Sequence, residues 1–201
     1  MSILLGLTGE IGSGKSLAAS YFKKLGAKII DADLVSRQLV EPGQAAWNDL
    51  IKMFGIEFFN PDQTLNREKI AAEVFQNAEK KSLLENIIHP RVMAEEQKLY
   101  NSYQQSNPEA VVMIDSPLLI ESGNYKNVDK IIVVQSSADL QIRRVMARNG
   151  YSHEDAKNRL KTQMPLKKKL KHSDYTLNNA GTRDELKVQV CNLYSVLKSI
   201  K

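Results

Sequence analysis

One cysteine, Cys191, occurs in 201 residues, so no disulfide can close within the chain. That scarcity favours a reducing compartment, and in a late helical pattern Cys191 reads as packing rather than as a nucleophile. Three histidines beside a single cysteine give a structural zinc site no support. Nowhere does an apolar run approach the roughly 18 residues of a membrane span, and no basic-then-apolar leader opens the chain. Neither a signal peptide nor a membrane helix is therefore expected, and the expected location is cytoplasmic. Aromatic residues make up only 6% of the chain and do not interleave with the basic ones, which argues against a nucleic-acid face. Asp-x-x-Gly and Asn-Lys-x-Asp, the elements of a GTPase switch, are both missing, and so are internal repeats and low-complexity stretches.

What is present is ordinary in bulk. A hydrophobic content of 42% and a charged content of 25% suit one globular domain with room for small inserts. A net charge of +5 is compatible with polyanionic ligands, and nucleotides, coenzymes and nucleic acid all qualify on that ground alone.

The informative stretch is Gly9-Glu10-Ile11-Gly12-Ser13-Gly14-Lys15-Ser16, which fits the phosphate-loop pattern G-x-x-x-x-G-K-[ST]. Ile3 to Leu7 before it reads as a buried strand. After it, Leu17, Ala18, Tyr21, Phe22 and Leu25 fall on one helical face. Triphosphate oxygens need several donors converging at short range, and the N–H groups of a curled loop at a helix N-terminus supply them. The glycines let the backbone curl and let the anion approach. Lys15 adds a mobile charge for the β- and γ-phosphates, and the Ser16 hydroxyl suits a magnesium ion. Together these predict an ATP-type nucleotide site.

Further along, residues 27–31 read as a strand ending in Asp31-Ala32-Asp33, with a helix starting there. Asp31 reads equally as a helix N-cap and as a ligand contact; Asp33, just inside the helix, favours function. Residues 41–105 are helical and too long for a simple crossover, so they read as an insert for a second substrate. Within them Trp47, Leu50, Ile51 and Phe54 share a face. Residues 67–75, 78–88 and 89–103 read as three helices, with His89-Pro90 as the break between the last two. His89 itself reads first as a cap or packing residue.

Ala110 to Asp115 is the best central strand. Asp115 at its end reads either as a Walker-B-like metal contact or as a loop cap. Residues 130–134 and 175–177 read as further strands, and residues 138–148 as a helix. Ser152 with Asp155 and Thr182 with Glu185 read as capping boxes, the second opening an amphipathic helix with Leu186, Val190, Leu193, Leu197 and Ile200 toward the core. Lysines 167–169 and 171 read as a solvated face. Arg144 and Arg148, spaced i and i+4, share a helix face from which planar guanidinium groups suit a phosphoryl transition state.

Taken in order, Leu7-Thr8-Gly9 through Lys15-Ser16, Asp31-Ala32-Asp33, Val40-Glu41-Pro42-Gly43, His89-Pro90, Pro117-Leu118-Leu119 with Glu121, Gln141 with Arg144 and Arg148, Gln163, and Asn179 with Gly181 resemble the dephospho-coenzyme A kinase family almost from end to end. The resemblance implies an α/β, P-loop NTPase-type three-layer fold with a five-stranded parallel sheet. It implies one kinase domain made of a core (about 1–33, 106–137 and 173–201), a helical coenzyme A-binding insert (about 34–105) and a helical lid (about 138–172). It implies ATP-dependent phosphorylation of the ribose 3′-hydroxyl of dephospho-CoA, with ATP and dephospho-CoA as partners, Mg²⁺ as cofactor, and no nucleic acid or membrane. A monomer or weak homo-oligomer is expected.

Residue by residue, the resemblance gives Asp33, Lys15 and Arg144 catalytic roles. It gives ATP contacts to Gly9, Gly12, Ser13, Gly14, Lys15, Ser16 and Leu17, with Arg148 and with Asn179 near the adenine. It gives the acceptor to Asp31, Asp33, His89, Pro117, Leu118 and Leu119, and the metal to Ser16 and Asp115. Three positions depart from the family's usual pattern: Glu10 for Gly, Leu17 for Thr, and Asn178 for Asp. None removes Gly14, Lys15, Ser16 or Asp33, so activity is expected to survive. Another small-molecule P-loop kinase remains the alternative within enzymes, and a nucleotide-binding protein without catalysis the alternative outside them.

Overall fold

The structure is a computed structural model that describes residues 2–200. The chain runs β1 (Ile3–Thr8), α1 (Lys15–Lys24), β2 (Lys28–Asp31), α2 (Ala32–Leu39), α3 (Ala45–Phe54), α4 (Arg67–Gln76) and α5 (Ala78–Ser106). It continues through β3 (Val111–Asp115), β4 (Lys130–Gln135), α6 (Ala138–Asn149), α7 (His153–Lys161), α8 (Leu166–Leu170), β5 (Tyr175–Asn178) and α9 (Arg183–Ser199). Five strands pair, all parallel, in the order β2-β3-β1-β4-β5. β1 and β3 are buried at every position, which is why their sequences are unbroken apolar runs rather than alternating ones.

Alternation still decides what each side chain touches. Ile3, Leu5 and Leu7 of β1, with Met113, Ile132, Val134 and Leu177, pack against Ala18 and Phe22 of α1 and Leu186, Val190 and Leu197 of α9. On the opposite face Gly6 meets the turn that follows β3. A Cβ there would lie 2.3 Å from Leu119 Cδ2 and 3.3 Å from Val128 Cγ2, so only glycine lets that turn settle on the sheet. The capping box at α9 forms as expected, with Thr182 accepting from the Glu185 N–H and Glu185 accepting from the Thr182 N–H. At α7 only half of the expected box forms: Ser152 accepts from Asp155 N–H, and the Asp155 carboxylate takes the Ser152 hydroxyl instead of its N–H.

The chain divides into two compact units, one of residues up to 31 and from 100 onward, the other of residues 32–99. The second has its own core of Val40, Ala46, Leu50, Phe54, Phe59 and Ile70, with Trp47, Ile51, Ile87 and Ile88 partly buried against it. Leu50, Phe54, Trp47 and Ile51 are the α3 face read from the sequence.

Three expectations need correction. No break occurs at His89-Pro90: α5 is one helix with Pro90 inside it. Proline removes one rung of the ladder, a cost of about 3 kcal/mol that a long packed helix can absorb. The Arg91 guanidinium donates to the Ile87 carbonyl at 2.7 Å beside the missing rung. Ile200 does not face the core; it lies beyond α9 and is 47% exposed. Leu25 likewise falls just past α1, where the chain turns at Gly26, and is largely exposed.

Candidate active site

The phosphate loop joins β1 to α1 as the pattern requires. Gly12 and Gly14 have φ of +75° and +95°, a region that side chains with a Cβ rarely adopt. Gly9 serves closeness instead, since a Cβ on it would lie 2.6 Å from both Ser13 Oγ and the Val134 carbonyl. Gly14 caps α1 without a side-chain acceptor, and no acid stands in the first turn. That helix start is therefore electropositive, as an anion site requires. Ser13 is fully buried, and its hydroxyl has no hydrogen-bond partner among the described residues.

Behind the loop the carbonyls are held outward. Asn179 Nδ2 donates to the Ser13 carbonyl at 2.8 Å. Arg144 Nη1 donates to the Gly12 carbonyl at 3.3 Å and to Ser136 Oγ at 3.2 Å, and its Nη2 donates to the Asn179 carbonyl at 2.9 Å. In a trans peptide the C=O and N–H point opposite ways. Gripping the Ser13 carbonyl from behind therefore turns the Gly14 N–H toward the front. Asn179 lies so close that a Cβ on Gly14 would sit 1.9 Å from its Nδ2. Arg148, exposed near the end of α6, hydrogen-bonds Asn149.

In front stand the acids at the carboxyl ends of the strands. Lys15 Nζ donates to Asp115 Oδ1 at 2.5 Å, with side chains only 14% and 10% exposed. Asp115 is in register with Leu7 of β1 on one side and Asp31 of β2 on the other. Ser16 is exposed in the first turn of α1. No group of three or more His, Cys, Asp or Glu among the described residues could hold a metal alone. An Mg²⁺ ion carried by a nucleotide keeps waters and phosphate oxygens and takes one or two protein oxygens. Ser16 and Asp115 are oxygen donors of that kind.

The acceptor residues named from the sequence fall into three settings. Asp31 ends β2 and is exposed, while Asp33 is exposed in the first turn of α2. His89 is half-buried inside α5, whose neighbouring Arg91 pairs with Asp49. After β3, Pro117 offers its carbonyl to Thr8 Oγ1, Leu118 is largely exposed and Leu119 is fully buried against Gly6. In the helical unit, burial first and the nearby Arg37 charge second lower the Arg67 pKa, a like-charge arrangement that an anion would relieve.

The lysine run was misread at one position. Lys169 is fully buried, and its ammonium donates to Glu121 Oε1 at 2.7 Å, Glu121 Oε2 at 3.0 Å and the Pro117 carbonyl at 2.7 Å. Three donors meet three acceptors, which is the condition for burying a lysine. The same segment is fastened elsewhere: Gln163 Oε1 accepts from Ile11 N–H at 2.7 Å, Glu121 accepts from Met164 N–H at 3.2 Å, and Glu10 accepts from Leu166 N–H at 2.9 Å. The sequence offered only Gln163 and Glu121 as signals, and Glu10 only as an oddity in the loop.

Comparison with known proteins gives one consistent result. A family model described as dephospho-CoA kinase matches residues 3–185. A Bacillus cereus dephospho-CoA kinase is 40% identical over 190 residues, 94% of each chain. Among solved structures, a Thermus thermophilus protein superposes with a TM-score of 0.82 at 29% identity, covering 98% of both chains. The dephospho-CoA kinase of Campylobacter jejuni superposes with a TM-score of 0.74 at 26% identity, covering 99% of this chain and 98% of its own.

Lys169→Ala is expected to destabilise the protein by about 3 kcal/mol, the low end for breaking a buried pair because Glu121 retains some water. The double change Lys169→Met with Glu121→Gln should cost less than that single one. Urea unfolding measures both, and a single variant no less stable than the double would refute the pairing account.

Proposed function

This chain belongs to the dephospho-CoA kinase family, and we propose that it transfers the γ-phosphoryl group of ATP to the ribose 3′-hydroxyl of dephospho-CoA, releasing coenzyme A and ADP. The observation that carries this reading is the phosphate loop of Gly9–Ser16 with Lys15 against Asp115, in a chain that the family matches over residues 3–185. The same reading makes the protein cytoplasmic and a monomer or weak homo-oligomer. Among the described residues no helix is long and apolar enough to cross a membrane.

The chemistry needs an in-line hydroxyl, stabilised phosphate charge and exclusion of water. N–H groups at the start of α1 hold the phosphates, and Lys15 leaves Asp115 to follow the transferring group. Ser16 and Asp115 would hold Mg²⁺, which would supply positive charge to offset that of the triphosphate. Asp33 orients the 3′-hydroxyl and takes its proton as the bond from O3′ to phosphorus forms and the bond from phosphorus to the β-γ bridging oxygen breaks. Three of the five Arg144 N–H groups go to the Gly12 carbonyl, Ser136 Oγ and the Asn179 carbonyl, and the remaining two suit developing charge on the phosphoryl oxygens. Residues 34–105 serve as the acceptor-binding insert and residues 138–172 as the lid over ATP.

Steady-state ADP release, with dephospho-CoA compared against a panel of nucleosides, tests the reaction. Stimulation by dephospho-CoA, with coenzyme A formed, is the expected result; stimulation by a nucleoside instead would leave another P-loop kinase. Asp33→Ala should lower kcat at least roughly a hundredfold, and near-normal turnover would remove it from the chemistry. Arg144→Ala should lower kcat more than it raises KM for ATP; a change in KM alone would make it a ground-state binder.

A further inference from the structure

Glu10 is the acid that stands in the phosphate loop, beside the place where a triphosphate would sit, and its carboxylate forms no ion pair among the described residues. Its two oxygens accept instead from neutral donors: Oε2 from Gln141 Nε2 at 3.1 Å and Oε1 from the Leu166 N–H at 2.9 Å. Gln141 lies on α6 and is buried, and Leu166 is the first residue of α8. The two residues after Glu10 are held by α6, α7 and the segment that leads into α8. Ile11 packs against Ile142, Val145 and Ala156 of α6 and α7, and its N–H donates to Gln163. Gly12 lies against the Gln141 backbone, where a Cβ would stand 2.5 Å from the Gln141 carbonyl, and its own carbonyl is held by Arg144 one turn along α6.

We propose that Glu10 is a positioning residue: it ties the outer half of the phosphate loop to α6 and to the segment entering α8, so that ATP meets a loop already set. Two opposed effects act at this position. A carboxylate repels a triphosphate, whereas two charge-assisted hydrogen bonds hold the loop. The second prevails, because both carboxylate oxygens are turned onto donors behind the loop and the exposed end of the site is lined by Lys15 and the α1 N–H groups. Gln141 also carries a buried Oε1 with no hydrogen-bond partner among the described residues, so its amide can turn over and pair with a glutamine at position 10. Glu10→Gln therefore removes the charge and keeps both links, while Glu10→Ala removes charge and links together.

The inference rests on ATP using this loop, and its test separates the two. In the protein without nucleotide, hydrogen exchange at the Leu166 amide should quicken in E10A and stay slow in E10Q, with β1 amides protected in both. In turnover with ATP and dephospho-CoA, E10A should lose about tenfold in kcat/KM for ATP, the worth of one charge-assisted hydrogen bond, and E10Q should stay within about twofold of the parent. E10A added to Gln141→Ala should cost less than about threefold more, since the two act through one contact. Equal losses in E10A and E10Q, a gain of affinity in E10A, or full additivity with Q141A would each overturn the positioning role. A parent enzyme that ignores dephospho-CoA would overturn the acceptor assignment instead, and the exchange result would still decide the bridge.

Discussion

A loop that receives phosphate must present backbone N–H groups that have no partner until the ligand arrives, and it must not fold in on itself to satisfy them. Much of this molecule is arranged around that constraint. Two of the loop's carbonyls are taken up from behind, Gly12 by Arg144 and Ser13 by Asn179, while Gly14 accepts from the N–H groups of Leu17 and Ala18 in α1 and Glu10 accepts from the Ser13 N–H across the turn. With each peptide plane fixed through its oxygen, the opposite edge keeps its direction. Asn179 reaches Ser13 only because β5 pairs with β4, an arrangement continued by the Asn179 N–H donating to the Gln135 carbonyl at 2.8 Å. The last strand in the sequence thus sets the first loop.

Charges around the loop are handled in two ways, which differ in burial and in how many donors are used. Lys15 and Asp115 form a pair that can exchange: a lysine held against a strand-end acid gives up little Coulomb energy when a phosphate replaces the carboxylate, because one anion substitutes for another. Lys169 and Glu121 form a pair that cannot, because the lysine is fully buried and all three of its donors are used. Burying that pair brings little net stability compared with apolar packing, but it fixes the turn after β3 to the start of β5 through α8. Leu119 of the same turn locks onto Gly6, so the exposed Leu118 next to it is held on a rigid base.

What could be read in the sequence was whatever depends on neighbours along the chain. The phosphate loop, the apolar runs of β1 and β3, the α3 face and the Thr182 capping box are all set within a few residues, and they appear where the pattern put them. Errors came where a distant partner decides. Pro90 looks like a helix break because local rules treat it so, whereas α5 runs through it with Leu84, Ile87 and Ile88 packed on the core of the helical unit. Lys169 sits in a run of lysines that reads as solvated, and nothing local distinguishes it from Lys168. Its burial depends on Glu121 and Pro117, some fifty positions earlier in the chain. Glu10 could be seen as out of place, but its direction could not, since both donors come from beyond residue 140.

The fastenings also constrain how a lid could work here. Residues 163–169 are held to the loop through Ile11 and Glu10, and to the turn after β3 through Glu121 and the Pro117 carbonyl. Moving them would break several bonds at once, one of them a buried ion pair. α7 is bound more lightly, with Ala156 and Leu160 in a small apolar cluster and the rest of its surface polar. In the lid proposed above, these fastenings leave α7 the more weakly held part and residues 163–169 the anchored one. The Gly150 turn, at φ +69°, provides a joint on one side and the Thr162 end of α7 the other. Arg144 and Arg148 both precede that joint on the unbroken helix α6, Arg144 engaged with the Gly12, Ser136 and Asn179 oxygens and Arg148 with its neighbour Asn149.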